Sequence, residues 1–304
     1  MTGTTASGPA VLATLRTPAG TRAAIRIDDD TYSLLPSADV GALLREPGWR
    51  GSAAQTQVAP VDTVSAADAD YAPLVTTPTK VLCCGHNYRG HIAEMGREIP
   101  THPTIFAKFA DTLIGAHDDI VIDAAAAVGL DWEAELAVVV GTTIRNVDAA
   151  TARAAIAGYT VANDISIRPW QRHTGQWLPG KAFDATTPIG PVLVTAATPD
   201  TAGGFDPADG HEIRCTVNTT VEQKSDVNDL VFTAADLLAY ISTFTTLRPG
   251  DVVLTGTPAG VGAASTPPHY LGDGDVVVTE IDGLGRCANR IVISPAPAQP
   301  TTHE

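Results

Sequence analysis

The acids are the first residues whose placement suggests chemistry. In LDWEAELAVVVG, residues 130–141, Glu133 and Glu135 interrupt a run that is otherwise apolar and β-branched. Such a run reads as a strand that wants burial. Alternate residues of a strand share a face, so the two carboxylates point the same way. Side by side on a half-buried face they repel, and something positive belongs between them. Three readings fit: a solvated strand face, a bridging Lys or Arg, or a hard divalent cation, which favours carboxylate oxygens. A third acid, Asp164, ends the apolar run in GYTVANDISIRPWQ (158–171), with Arg168 and Gln171 at offsets of four and seven. GKAFDATTPIGP (180–191) supplies Lys181, and LRPGDVVLTGTPAGVG (247–262) ends a strand in a turn that carries Thr257. A Gly- and Thr-rich turn of that kind lets backbone N–H groups approach an anion closely.

A second constellation lies in NYRGHIAEMG, where His91 and Glu94 are three apart and share the face of a helical turn. Glu94 can accept the proton of one imidazole nitrogen and fix the tautomer. The other nitrogen is then free to take a proton from water. A helix-surface pair with no further role has the same spacing.

These side chains need a scaffold, and composition bounds it. The 304 residues are one large domain, or a small one and a large one, with length enough for a sizeable core. A net charge of −15 with only 17% charged residues argues against nucleic acid and anionic membrane surfaces as partners. No apolar run is long enough for a transmembrane helix. The start lacks the basic and apolar regions of a secretory leader. Cys83, Cys84, Cys215 and Cys287 show no zinc spacing, so reduced thiols and a cytoplasmic protein are expected.

Strand-like runs recur at 81–85, 104–108, 119–122, 132–140, 158–163, 189–195, 213–217, 251–255 and 275–281, after short strands within 10–35. Helical patterns are few: DVGALLREPG, 148–157 and 233–247. The pattern predicts a mainly β, α+β chain without the alternation of a doubly wound fold. The expected organisation is a disordered start (1–9), a small N-terminal α+β domain (10–75), a catalytic domain (76–294) and a Pro-rich disordered tail (295–304).

The ordered blocks GHNYRGHIAEMG, PTIFAKFADTLIGAHDDIVI, LDWEAELAVVVG, GYTVANDIS, GKAFDATTPIGP and LRPGDVVLTGTPAGVG cover most of residues 80–291. Taken together, the chain resembles the fumarylacetoacetate hydrolase family. The resemblance implies a mixed β-sandwich roll as catalytic domain, a homodimer, and Mg²⁺ or Mn²⁺ held by Glu133, Glu135 and Asp164. It also implies that His91 and Glu94 form the catalytic dyad, on a segment that is often a mobile lid. Lys181 would add positive charge at the reacting oxygen, Thr257 would donate a hydrogen bond, and Arg168 and Gln171 would position the far end of a small 2-oxo acid. The implied reaction is acylpyruvate-type C–C hydrolysis through a stabilised enolate. A lyase or isomerase (an oxaloacetate-type decarboxylase, or a 2-hydroxy-dienedioate isomerase or hydratase) would use the same site. A non-catalytic scaffold is a third reading, expected to show a broken acid triad or a missing Lys. Two positions depart from the family pattern. His86 stands where the family often has an apolar residue or Arg, and is expected to pack. Pro169 follows Arg168 where Asp is common. His173 and Trp177 are expected to be exposed loop residues.

Overall fold

Alternation along the strand Ala134–Val140 organises the molecule. Leu136, Val138 and Val140 point to one side, into a core shared with Ile213, Cys215, Val277 and Cys287. Ala137 and Val139 point to the other, with Leu12, Ile25, Leu43 and Leu254. A strand covered on both faces reads as a nearly continuous apolar run, and this one is buried throughout. The computed structural model describes residues 9–60, 62–197 and 203–295. The segments expected to be disordered therefore lie outside the described residues, save for residues 9 and 295.

Edge to edge, the large sheet runs Thr63–Ser65, Thr31–Leu34, Gly20–Asp28, Val11–Thr17, Thr187–Thr195, Ile156–Asn163, Ala134–Val140, Val252–Leu254, Val81–Gly85 and Thr104–Lys108. A second sheet, Thr220–Asp226, Glu212–Val217, Val276–Ile281, Gly285–Ser294 and Ile120–Asp123, packs on the first of the two faces. Both sheets are mixed, because Val252–Leu254 runs parallel to Val81–Gly85 and Gly285–Ser294 runs parallel to Ile120–Asp123. The helices Val40–Leu44 and Trp49–Val58 lie against Gly20–Asp28, and Ala149–Ala154 packs on Ala234–Ser242. This is the mainly β architecture expected from the run pattern. The helix expected over 233–247 begins on a capping box, Thr233 with Asp236, and stops at Ser242. The strands Thr220–Asp226 and Gly285–Ser294 escape a reading based on apolar runs. Each is only partly buried, and the second turns Cys287, Asn289 and Ile291 inward between exposed or half-exposed residues.

Residues 10–75 extend the central sheet, pairing Val11 with Val194 and Leu12 with Leu193. We retain their division from 76–294 as a proposal.

Strand register gathers the acids. Ala134 lies opposite Asn163, and Glu135 opposite Ala162. The N–H of Asp164 donates to the carbonyl of Glu133 at 2.9 Å, which carries the pairing one step further. Cross-strand neighbours share a face, so Glu133, Glu135 and Asp164 converge at one end of the central strand pair.

Candidate functional site

A cavity of about 220 Å³ opens over that end, the right scale for a small molecule rather than a drug-sized one. Its wall includes His91, Glu133, Glu135, Arg168, Gln171 and Lys181, and Thr257 sits beside them. Asp164 and Glu94 are bonded directly to wall residues. The structure thus brings together every residue singled out by type and spacing.

The floor is a buried network of charges. Lys181 Nζ lies 2.7 Å from Glu133 Oε2 and 2.7 Å from Asp164 Oδ2. Lys108 Nζ is 2.6 Å from Asp164 Oδ1. Arg168 places Nη1 at 2.7 Å from Glu133 Oε1 and Nε at 2.7 Å from Asp131 Oδ2. The bridging Lys or Arg that two adjacent acids call for is therefore present, and it serves Glu133. Burial disfavours the Glu133 anion, but Lys181 and Arg168 outweigh burial and hold its carboxyl down at about 2. Burial likewise opposes the charge on Lys181, yet Asp164 and Glu133 hold its ammonium above the ordinary range.

Glu135 differs. It accepts the N–H of Gly256 at 2.7 Å, and among the described residues no cation pairs with it. Burial first, then Asp164 and Glu133, push its carboxyl well above the ordinary value. Asp131, Glu133, Glu135 and Asp164 face Lys108, Arg168 and Lys181, so one negative charge is left over. Glu133, Glu135 and Asp164 each offer an oxygen within 4.8 Å of the others. Buried, all-oxygen and short of positive charge, this set fits a hard divalent cation such as Mg²⁺ or Mn²⁺.

Beside the floor, His91 Nδ1 lies 2.9 Å from Glu94 Oε2. The other oxygen of Glu94 accepts the N–H of Gly260 at 3.1 Å. Held at both ends, Glu94 favours the tautomer that carries its proton on Nδ1, which leaves the Nε2 lone pair free. His91 itself is only 8% exposed, so the pair is part of the cavity wall rather than of a solvated helix face.

The Gly- and Thr-rich turn behaves differently from the expectation. Its N–H groups serve the protein's own carboxylates: Gly256 bonds to Glu135, Gly260 to Glu94, and Gly262 and Ala263 to Asp131 at 2.7 and 2.9 Å. Thr257 Oγ1 accepts from Gln223 Nε2 at 2.8 Å, so its own hydroxyl proton remains free to donate. Arg168 and Gln171 are joined at 2.9 Å and drawn to the floor, and Arg168 Nη2 is buried without a partner among the described residues.

Two expectations about the wall need correcting. Trp177 is not an exposed loop residue. It lines the cavity with its ring against Gly85, where a Cβ would fall 2.3 Å from Trp177 Cζ3. His86 does more than pack, because it forms part of the wall next to His91. His173 is exposed, as expected. Lys108, Asp131 and Gln223 were missed. The usable signal was chemical: a Lys or Asp inside an apolar run is rarely buried unless paired, and IFAKF and GLDWE each hold one. Cys84 also lines the cavity, but burial and Glu135 push its thiol up to about 12, which makes it a poor nucleophile.

Comparison with known proteins agrees with this architecture. Residues 80–292 match the family described as fumarylacetoacetate (FAA) hydrolase C-terminal. The mitochondrial oxaloacetate tautomerase Fahd2a of Rattus norvegicus is 39% identical over 270 residues, covering 88% of this chain and 83% of the relative. The Homo sapiens FAHD2A protein of the same description is 42% identical over 247 residues, covering 80% and 74%. Among solved structures, a 5-carboxymethyl-2-hydroxymuconate delta-isomerase from Mycobacterium smegmatis superposes with a TM-score of 0.75 at 31% identity, covering 93% of this chain and 99% of that one. A fumarylacetoacetate hydrolase from Exiguobacterium antarcticum gives 0.80 at 28%, covering 94% and 100%. These relatives overturn the cytoplasmic expectation, since the rat and human proteins are mitochondrial by name. The free, buried cysteines on which that expectation leaned do not name a compartment. The matched segment, the relatives and the shared architecture lead to one conclusion: the chain belongs to the fumarylacetoacetate hydrolase family of enzymes.

Proposed function

We propose that this enzyme enolises a small 2-oxo acid, acting as a tautomerase or isomerase, with Mg²⁺ or Mn²⁺ held by Glu133, Glu135 and Asp164. The observation that carries this reading is one pocket holding both an under-compensated buried acid trio and the His91–Glu94 pair. The names of the similar proteins, a tautomerase and an isomerase, describe the relocation of a proton and support it. When bound, the cation would supply Lewis-acid stabilisation of charge developing on the substrate oxygen. His91 Nε2 takes the proton from the carbon next to the carbonyl, and the electron pair moves to the carbonyl oxygen. Return of the proton to that oxygen gives the enol. Glu94 stabilises the imidazolium between these steps. Thr257 donates its hydroxyl proton as a hydrogen bond to the oxygen, and Arg168 Nη2 offers a second donor. The homodimer implied by the resemblance belongs to this proposal.

Acylpyruvate-type hydrolysis is the second reading, favoured by the same 2.9 Å contact of His91 with Glu94, which equally suits activation of a water. One experiment separates them. Acetylpyruvate and oxaloacetate are incubated in deuterium oxide with Mg²⁺ or with EDTA and followed by proton NMR. Faster loss of the C3 protons of oxaloacetate than with Mg²⁺ alone, abolished by EDTA, is the expected result. Pyruvate from oxaloacetate would make the enzyme a decarboxylase, and acetate plus pyruvate from acetylpyruvate a hydrolase. No acceleration of any of these sinks the proposal.

A further inference from the structure

The cavity lining carries charge and polarity that the floor does not use. Arg97 and Arg172 both line the cavity and are exposed. Among the described residues, neither guanidinium has a carboxylate within ion-pair distance. In a chain of net charge −15, two unpaired cations at one pocket focus a positive potential where an anion enters. The floor cations cannot do this work, because Lys108, Lys181 and Arg168 are each bonded to buried acids.

His86 lines the same cavity. Its ring is stacked near that of His91, 6.2 Å between centroids and 22° between planes, and meets Trp177 edge-on at 5.3 Å. Its backbone holds φ at 55°, a left-handed value that few non-glycine residues adopt and that often marks a functional position. Both ring nitrogens are closed off from solvent and have no hydrogen-bond partner among the described residues. Burial first, then Arg97 and His91, drive the imidazole down to about 4, so it is neutral at ordinary pH, with one N–H to give and one lone pair to fill. An apolar side chain would pack at this position without that cost. Among the described residues a partner for His86 is missing, and a ligand that took its N–H would have to displace the neighbouring turn Arg89–Glu94.

We infer that His86, Arg97 and Arg172 form a subsite for a second anionic group at the far end of the substrate, so that the pocket selects 2-oxo dicarboxylates over 2-oxo monocarboxylates. This rests on the enolisation reading only for the reactive end. The far-end assignment moves from Arg168 and Gln171, which are tied to the floor, to the outer wall.

The test uses two unreactive probes that differ only there: malate, with a distal carboxylate, and 2-hydroxybutanoate, with a methyl. Their affinities are measured by calorimetry in the presence of Mg²⁺, for the intact protein and for His86→Leu and the double variant R97Q/R172Q. The intact protein should prefer malate by about 30-fold or more. R97Q/R172Q should lose about tenfold of that preference, and His86→Leu about fivefold, both without weakening 2-hydroxybutanoate. A preference that is absent in the intact protein, or unchanged in both variants, overturns the subsite. Failure of the two readings is distinguishable. A preference that collapses in the variants while oxaloacetate is not enolised keeps the subsite and discards the reaction. Enolisation with a preference insensitive to all three side chains does the reverse.

Discussion

The floor and the mouth of the cavity are built on opposite plans. On the floor every buried charge but Glu135 has an opposite charge within 2.7 Å, supplied by Lys108, Arg168 and Lys181. At the mouth Arg97 and Arg172 are exposed and unpaired among the described residues, and His86 is polar and unsatisfied. The floor acids Glu133, Glu135 and Asp164 stand on or beside paired strands whose register leaves little choice of geometry. The mouth stands on a short turn and on loops. On the function and subsite proposed above, reactivity and selection of the substrate rest on different material, and each can be altered without the other.

The largest effect should come from Glu133→Gln. It leaves Lys181 and Arg168 each short of a carboxylate in a buried site, and removing one partner of a buried pair costs about 3–5 kcal/mol. Turnover should fall about 10³-fold as well. Thermal unfolding and steady-state kinetics check both. A variant within twofold of the intact enzyme would erase the distinction between floor and mouth.

Glu135→Gln should act in the opposite direction on the metal-free protein. The Glu135 carboxyl is raised in the fold, so its contribution to stability is fully present below the ordinary value of 4.5 and is lost as pH rises through its folded value. The Glu133 carboxyl is lowered, so its contribution is present above 4.5 and is lost as pH falls towards about 2. With EDTA present, the intact protein should therefore gain stability as pH drops from the alkaline side towards about 5 and lose it below about 4. Glu135→Gln should flatten the upper limb, raise the alkaline melting temperature and abolish stabilisation by Mg²⁺. An upper limb of unchanged slope by calorimetry would mean that Glu135 is not the uncompensated charge.

Asp131→Asn is expected to have a smaller effect. The Asp131 carboxylate accepts from Trp132, Gly262 and Ala263 N–H and from Arg168 Nε, so it ties the outer turn to a floor cation. The amide keeps one acceptor oxygen and loses the charge. We expect kcat/KM to fall about tenfold, with the loss shared between kcat and KM because both regions loosen. A change confined to KM would place Asp131 with the mouth alone.

The same divide decided what could be read from sequence. Glu133, Glu135 and Asp164 were legible because a strand has a period of two and an acid in an apolar run demands an explanation. His91 and Glu94 were legible because a helical turn fixes which residues are neighbours. The partners of the acids were not, since Lys108 meets Asp164 across 56 positions of chain and Asp131 meets Ala263 across 132. Arg97, Arg172 and Trp177 lie in or beside loops, which carry no period, so nothing in the local pattern shows where their side chains go. His86 looked like packing because an unsatisfied imidazole is invisible until its surroundings are known. The strands of the second sheet were half hidden for a related reason, as partly exposed strands dilute the apolar signal.

The smallest and most discriminating effect belongs to the mouth. Arg172→Gln should leave stability within about 0.5 kcal/mol, as for other exposed positions without partners. Its effect should show in how KM depends on salt. Exposed charges are screened over about 30 Å at 0.01 M ionic strength and about 8 Å at 0.15 M. Across that range the KM of the intact enzyme for oxaloacetate should rise while kcat holds, because the buried pairs of the floor are out of reach of the salt. In Arg172→Gln, KM should start about threefold higher at low salt and climb less steeply. Equal slopes would show that the dianion never meets this guanidinium on its way in, and the mouth would then be a wall like any other.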